Sequence, residues 1–261
     1  MNVGITLSNP SPIGCFFLDT CVILSDILKE NTPRIEKLKK DVNLHNIPCY
    51  ISDSVKQEIY EKIKQTSDFL GKVIRETIKF HLEDFRKRNK IPLTDPMTSN
   101  DIKALEDLFS YYYNALKITK VGLQNPISLI EEWTISFLGE QLDKGVKINI
   151  KQFLRELIKK LLELTSYIED LYDELITFQR KFVKVKNITL DSRIVLVVKS
   201  IGIHKKDCDH IASAVTYQIR EREKVVFVTL DFSSILEKRH LIQKQLDLEC
   251  CDPLYALHHL V

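Results

Sequence analysis

The sequence predicts an α/β protein: a parallel sheet with helices on both faces, interrupted by a long all-helical insertion. Three observations carry this prediction. Short β-branched and aromatic runs alternate with helix-length stretches at both ends of the chain, within residues 14–60 and 200–253. The middle instead carries apolar residues spaced by threes and fours over many turns. Acidic residues recur where strands end or helices begin.

The first strand is the run Cys15-Phe16-Phe17-Leu18, closed by Asp19. Val22 to Leu28 reads as a short helix. Pro33 opens a second one, with Ile35, Leu38 and Val42 on one face, because proline's fixed φ and missing N–H suit the first helical position. The second strand, Cys49 to Ile51, leads to Ser52, whose hydroxyl suits it to cap the next helix. That helix shows Val55, Ile59 and Ile63 on its apolar stripe, which runs on through Thr66, Leu70, Val73, Thr77 and Phe80 with no proline before Pro92. Two shorter helices are expected around Ser99 to Leu116 and Ser128 to Leu142, with Pro92, Pro96, Gly122, Pro126 and Gly145 marking breaks.

The cleanest periodicity follows: Ile150, Leu154, Leu157, Leu161, Leu164, Ile168, Leu171, Leu175, Phe178 and Phe182. Alternating steps of four and three are the heptad pattern of helices packed at a shallow angle. Flanking Phe153, Ile158, Leu162 and Ile176 widen the stripe, which favours packing within one bundle over an intermolecular coiled coil. After it come a helix from about Asp207, the strand Val225 to Leu230, a helix near Ser233 to Gln243 and a short strand around Leu248 to Cys251. The expected organisation is a discontinuous α/β core, residues 1–60 and 190–261, carrying a helical insertion, residues 61–189, with two long antiparallel helices.

Composition bounds the function classes. At 261 residues the chain can bury a sizeable core. No apolar run reaches the length of a membrane span, and residues 1–7 lack the basic start and long apolar stretch of a secretory signal. Six scattered cysteines without CxxC or Cys/His zinc spacing read as reduced thiols, so a cytoplasmic location is expected and no membrane partner. Net charge is +2, from 38 basic and 36 acidic residues. Setting four acids around a cation would leave a mild basic excess elsewhere, compatible with a polyanionic partner.

Four acids form the candidate site: Asp19 and Asp231 after strands, Asp207 at the start of a helix, and Glu58 one short helical stretch beyond the second strand. In an open parallel sheet the carboxyl ends of the strands share one edge, where ligands bind. Acids far apart in sequence then converge, and their mutual repulsion calls for a cation. All-oxygen ligands suit Mg²⁺ or Mn²⁺, one ion or two. Each acid alone reads equally well as a turn residue, a cap or a solvated helix residue; the joint placement is what points to a site.

The string Phe17-Leu18-Asp19-Thr20-Cys21-Val22-Ile23-Leu24 resembles the opening of a PIN-domain nuclease, where Asp-Thr or Asp-Ser follows the first strand. Ile51-Ser52-Asp53-Ser54-Val55-Lys56-Gln57-Glu58 resembles that family's second element, Lys206 to Ala214 its third, and Val228-Thr229-Leu230-Asp231-Phe232 its fourth. The likeness covers about half the chain, in order, and leaves the helical middle unmatched. It implies a three-layer PIN-like core and a Mg²⁺- or Mn²⁺-dependent nuclease, foremost an endoribonuclease acting on RNA. Asp19, Glu58, Asp207 and Asp231 would be its catalytic metal ligands. The family pattern selects Asp207 in the third element, with Asp209 as a further ligand.

Smaller expectations attach to neighbouring residues. Thr20, Ser52 and Thr229 are placed to orient a carboxylate or water, with ordinary capping an equal reading. His210 beside the acids reads as a ligand, a proton carrier or a structural residue. Lys205 and Lys206 are candidates for phosphate at the site rim, and Arg86, Lys87 and Arg88, with Lys90, for a nucleic-acid backbone. Tyr111, Tyr112 and Tyr113 read first as core packing and only then as base stacking. The alternatives to a nuclease are a PIN-like scaffold without turnover, docking RNA or protein, and the toxin of a toxin–antitoxin pair. A phosphatase or DNA nuclease would use the same carboxylates, and the insertion is open to dimerisation.

Overall fold

The computed structural model describes residues 13–28, 32–77, 83–89, 96, 98–120, 124–143 and 150–259. Five strands form one sheet: β1 (Ile13–Leu18), β2 (Cys49–Ser52), β3 (Val183–Lys186), β4 (Lys224–Val228) and β5 (Glu249–Cys251). Their order is β3-β2-β1-β4-β5, with every neighbouring pair parallel. The helices described are α1 (Thr20–Ile27), α2 (Thr32–His45), α3 (Asp53–Glu76), α4 (Glu83–Arg88), α5 (Ser99–Thr119), α6 (Gln124–Asp143), α7 (Ile150–Lys181), α8 (Ser192–Ser200), α9 (Lys205–Glu221) and α10 (Arg239–Leu246). The protein is thus mixed α/β with mostly helical content. No described helix is long and apolar enough to cross a membrane.

Two compact units make up the chain: Met1–Glu61 with Glu174–Val261, and Lys62–Asp173. The first holds the sheet. Its central strands β1 and β4 are apolar on both faces, as strands covered on both sides are. Cys15, Phe17, Val225 and Phe227 face Val198 of α8, Ile211, Ala212 and Val215 of α9 and Ile242 of α10 in one cluster. Their chain neighbours Phe16, Leu18, Val226 and Val228 take the opposite face by the period-two pleat and are equally buried. The segment after β5 is tied back to α2: Arg34 pairs with Asp252 at 2.6 Å and Lys37 donates to the Leu254 carbonyl at 2.6 Å. Gly202, at φ 80°, makes the turn between α8 and α9, a conformation that costs glycine nothing.

Three elements depart from the sequence reading. Residues 183–186 fall inside the expected helical insertion but form β3. Phe182 continues the three-four stripe and hides the change; Val183 and Val185 then alternate with Lys184 and Lys186, and pairing from Cys49↔Val183 to Ser52↔Lys186 fixes the strand to β2. Residues 192–200, unassigned from sequence, form α8, capped by Asp191, whose side chain accepts from the Arg193 N–H. The helix expected from Ser233 starts only at Arg239, because residues 232–235 form a turn followed by the 3-10 turn Leu236–Lys238.

The second unit is helical. Leu70 and Val73 of α3, Leu105, Phe109 and Tyr113 of α5, Ile127, Ile130 and Leu138 of α6, and Phe153 and Leu157 of α7 share one core. Tyr113 is fully buried, its hydroxyl 3.1 Å from Thr77 Oγ1 and 3.2 Å from Thr134 Oγ1. Tyr112 donates to Glu76 at 2.7 Å, and Tyr111 is exposed. Thr98 opens α5 with a capping box closed by Asp101. Pro126, expected to mark a break, is buried in the first turn of α6. Phe80, Lys90, Pro92, Gly122 and Gly145, which the sequence reading used, lie outside the described residues, as do the side chains of Ile150, Leu154, Leu161, Leu164 and Ile168.

Candidate functional site

The strand order sets the place. The chain runs outward from β1 to β2 and β3, then returns on the other side of β1 as β4. The crevice outside the carboxyl ends of β1 and β4 is therefore the topological switch point, where open α/β sheets bind ligands. Asp19 follows β1 there and donates its backbone N–H to the Val228 carbonyl at 3.0 Å.

Asp19 is 4% exposed and fully engaged. Oδ1 accepts from the Thr20 N–H at 2.8 Å and lies 3.2 Å from His210 Nδ1. Oδ2 accepts from the Thr229 hydroxyl at 2.7 Å and the Cys21 thiol at 3.1 Å. Burial pushes this carboxyl up, but the hydrogen bond and charge of His210, with the Thr229 and Cys21 donors, outweigh it and hold its pKa below the ordinary value.

His210 is the bridge to Glu58. Its ring is 3% exposed, with Nε2 3.5 Å from Glu58 Oε2. The same Glu58 oxygen accepts from the Thr20 hydroxyl at 2.6 Å. Burial would lower the His210 pKa, yet the hydrogen bond and charge of Asp19, then the charges of Glu58 and Asp207, raise it. Its ring thus bridges two of the acids.

On the other side, Thr229 passes the connection onward. Its Oγ1 accepts from the Asp231 N–H at 3.0 Å. Asp231 Oδ1 accepts from the Ser234 N–H at 2.8 Å and the Ser233 hydroxyl at 3.2 Å, closing the turn after β4. The Ser234 hydroxyl donates to Asp207 Oδ2 at 2.8 Å. Burial raises the Asp207 pKa first, and the charges of Asp19 and Asp231 add to it against the Ser234 hydrogen bond. Glu58, His210, Asp19, Thr229, Asp231, Ser234 and Asp207 therefore form one continuous chain of polar contacts.

Other expected residues fall differently. Asp209 is exposed, and no contact among the described residues joins its carboxylate to this chain. A step of two on a helix turns a side chain by roughly 200°, so the face of α9 that presents Asp207 and His210 turns Asp209 away. Ser52 caps α3, accepting from the Val55 N–H at 3.3 Å, and its hydroxyl meets Ser54 at 2.8 Å rather than an acid. Lys205 and Lys206 are exposed on the first turn of α9. Arg86, Lys87 and Arg88 belong to the helical unit, where Lys87 pairs with Glu83 at 3.9 Å and Arg88 with Asp84. Sequence reasoning missed Cys21 and Ser234. Cys21 also accepts from the Leu230 N–H at 3.1 Å, and burial followed by the charge of Asp19 keeps its thiol well above the ordinary range.

The donor chemistry suits a hard divalent cation, since the four carboxylates supply only oxygen. The side chains are not gathered into a finished cage, since among the described residues no three His, Cys, Asp or Glu groups are placed to hold one ion. Compared with known proteins, the chain matches no family model, no curated protein and no solved structure.

Proposed function

We propose that the chain is a PIN-like, metal-dependent nuclease that cleaves RNA internally. The observation supporting this reading is the unbroken polar chain that links Asp19, Glu58, Asp207 and Asp231, through intervening residues, at the switch point of the sheet. Asp19, Glu58, Asp207 and Asp231 would hold Mg²⁺ or Mn²⁺, which supplies a hydroxide at neutral pH and offsets charge building on the phosphate oxygens.

The protein's own part is preorganisation. Asp19 is fixed by four donors, so its carboxylate orientation is set before any ligand arrives. Thr20 holds Glu58, and Ser234 keeps Asp207 beside the Asp231 turn. In its protonated form His210 would offset part of the cluster's charge beside the buried Asp19. Lys205 and Lys206, exposed where α9 begins, would meet the phosphates of a polyanion. Six free cysteines suit a reducing, cytoplasmic setting.

One observation favours a second reading. His210 already joins Asp19 and Glu58 with a side chain of the protein itself, as a PIN-like scaffold without turnover would require. Incubating the purified chain with mixed RNA and DNA, in Mn²⁺, Mg²⁺ or EDTA, separates the two. Internal cleavage of RNA in metal and none in EDTA is expected. Inert protein under all three conditions would overturn the nuclease reading and leave the scaffold, and equal cleavage of DNA would overturn the ribonuclease assignment alone.

A further inference from the structure

Phe232 follows Asp231 directly and is 70% exposed. Single exposed apolar residues are ordinary on protein surfaces. This one is distinguished by where it stands: of the exposed large hydrophobic side chains among the described residues, Phe232 alone adjoins an acid of the polar chain. Its backbone is pinned on both sides. The Asp231 carbonyl accepts from the Leu236 N–H at 3.0 Å, the Phe232 carbonyl from the Glu237 N–H at 2.9 Å, and the Asp231 side chain closes the same turn.

The surroundings point to a polyanion with flat, apolar groups. Ser234 accepts from the His204 N–H at 3.3 Å and donates to Asp207, so the Phe232 turn lies against the first turn of α9, where Lys205 and Lys206 are exposed. Lys238, from the same turn, is spent on the Gly202 carbonyl and fastens it to the α8–α9 connection. An exposed aromatic on a pinned turn, an acid beside it, and exposed lysines on the helix turn to which that turn is tied are the components with which proteins bind single-stranded nucleic acid, bases stacking and cations following the backbone.

We propose that Phe232 is a stacking residue of this site: its ring takes an unpaired base next to the phosphodiester that lies over the acids. This rests on the nuclease reading and adds what that reading lacks, a residue that positions the strand. Stacking on one base accounts for about a tenfold change in affinity or somewhat more. Because the ring is exposed, removing it leaves the fold intact.

The test uses the full-length protein and fluorescein-labelled RNA oligonucleotides, single-stranded and as a duplex. Binding is followed by anisotropy in EDTA, and cleavage is measured separately in Mn²⁺. Phe232→Ala and Phe232→Leu are expected to weaken single-strand binding about tenfold and to raise KM with little change in kcat. Phe232→Trp should restore both, and the duplex should show no difference. An abasic residue beside the cleaved bond should abolish the advantage of wild type over Phe232→Ala. Unchanged single-strand affinity in the alanine and leucine variants, or full activity of the leucine variant, would overturn the stacking role while wild-type cleavage keeps the nuclease reading. Wild-type protein that cleaves nothing would overturn both.

Discussion

His210 Nδ1 lies 3.2 Å from Asp19 Oδ1 in a site where both side chains are almost fully buried. The two residues are 191 positions apart, and their pairing fixes the second turn of α9 over the end of β1. A buried polar pair of this kind is weak evidence for stability in itself, but removing one partner leaves the other uncompensated.

His210→Gln should therefore destabilise the metal-free protein by about 1–3 kcal/mol, read as a lower melting temperature in EDTA. The pH dependence has a definite sign. The His210 pKa is raised above its ordinary 6.5, so its contribution is complete below that value and fades as pH climbs through the higher folded value. Asp19 is lowered from 3.8, so its contribution is present above that value and fades as pH falls through the lower folded one. The gap between wild type and variant should be widest between about pH 4 and 6.5 and close on the alkaline side. A gap that widens with rising pH would contradict the pairing.

Thr229→Val keeps the shape of a fully buried side chain and deletes the hydroxyl that serves Asp19 and the Asp231 N–H. A loss of about 1–3 kcal/mol is expected from chemical denaturation, with the slope of the transition unchanged. Thr229→Ser should recover most of it. Equal stability of the valine variant and wild type would mean that the hydroxyl does not hold the two acids.

Asp207→Asn and Asp209→Asn should separate cleanly. Asp209 is exposed and outside the polar chain, so its variant should cleave RNA like wild type. Asp207→Asn should lose activity. Since the Asp207 pKa is raised by burial and by the charges of Asp19 and Asp231, its ionised form opposes folding above the ordinary 3.8. The Asn variant should thus melt no lower than wild type at pH 7 in EDTA, and should gain less from millimolar Mn²⁺. Loss of activity in the Asp209 variant alone would reverse the assignment within α9.

The sheet and its acids were legible because their signals are local. Cys15 to Leu18 and Val225 to Val228 read as buried strands, and the acids that follow them stand where a parallel sheet presents its edge. The family pattern singles out Asp207 and leaves Asp209 as a further ligand; the face that Asp207 shares with His210 turns Asp209 away, which only the helix position in the fold reveals. Cys21 and Ser234 carried no signal, because their partners Thr229 and Asp207 are 208 and 27 residues away and only folding brings them close. Likewise β3 becomes a strand by pairing with β2, while its four residues follow an apolar stripe that points to helix. Residues 192–200, Ser-Arg-Ile-Val-Leu-Val-Val-Lys-Ser, are rich in β-branched side chains, and tertiary packing of Val198 together with the Asp191 cap decides for helix.

The central claim is that the acids at the carboxyl ends of β1 and β4 perform the chemistry, and Asp19 is the one most firmly held. The most direct measurement is a time course of single-stranded RNA cleavage in Mn²⁺ by wild type and Asp19→Asn, prepared side by side, with circular dichroism spectra recorded for both. Wild type should cut the RNA internally, stop in excess EDTA, and exceed the Asp19→Asn protein by at least about a hundredfold while the two spectra coincide. A folded Asp19→Asn protein that cleaves at the wild-type rate, or wild-type activity that persists in EDTA, would contradict the account.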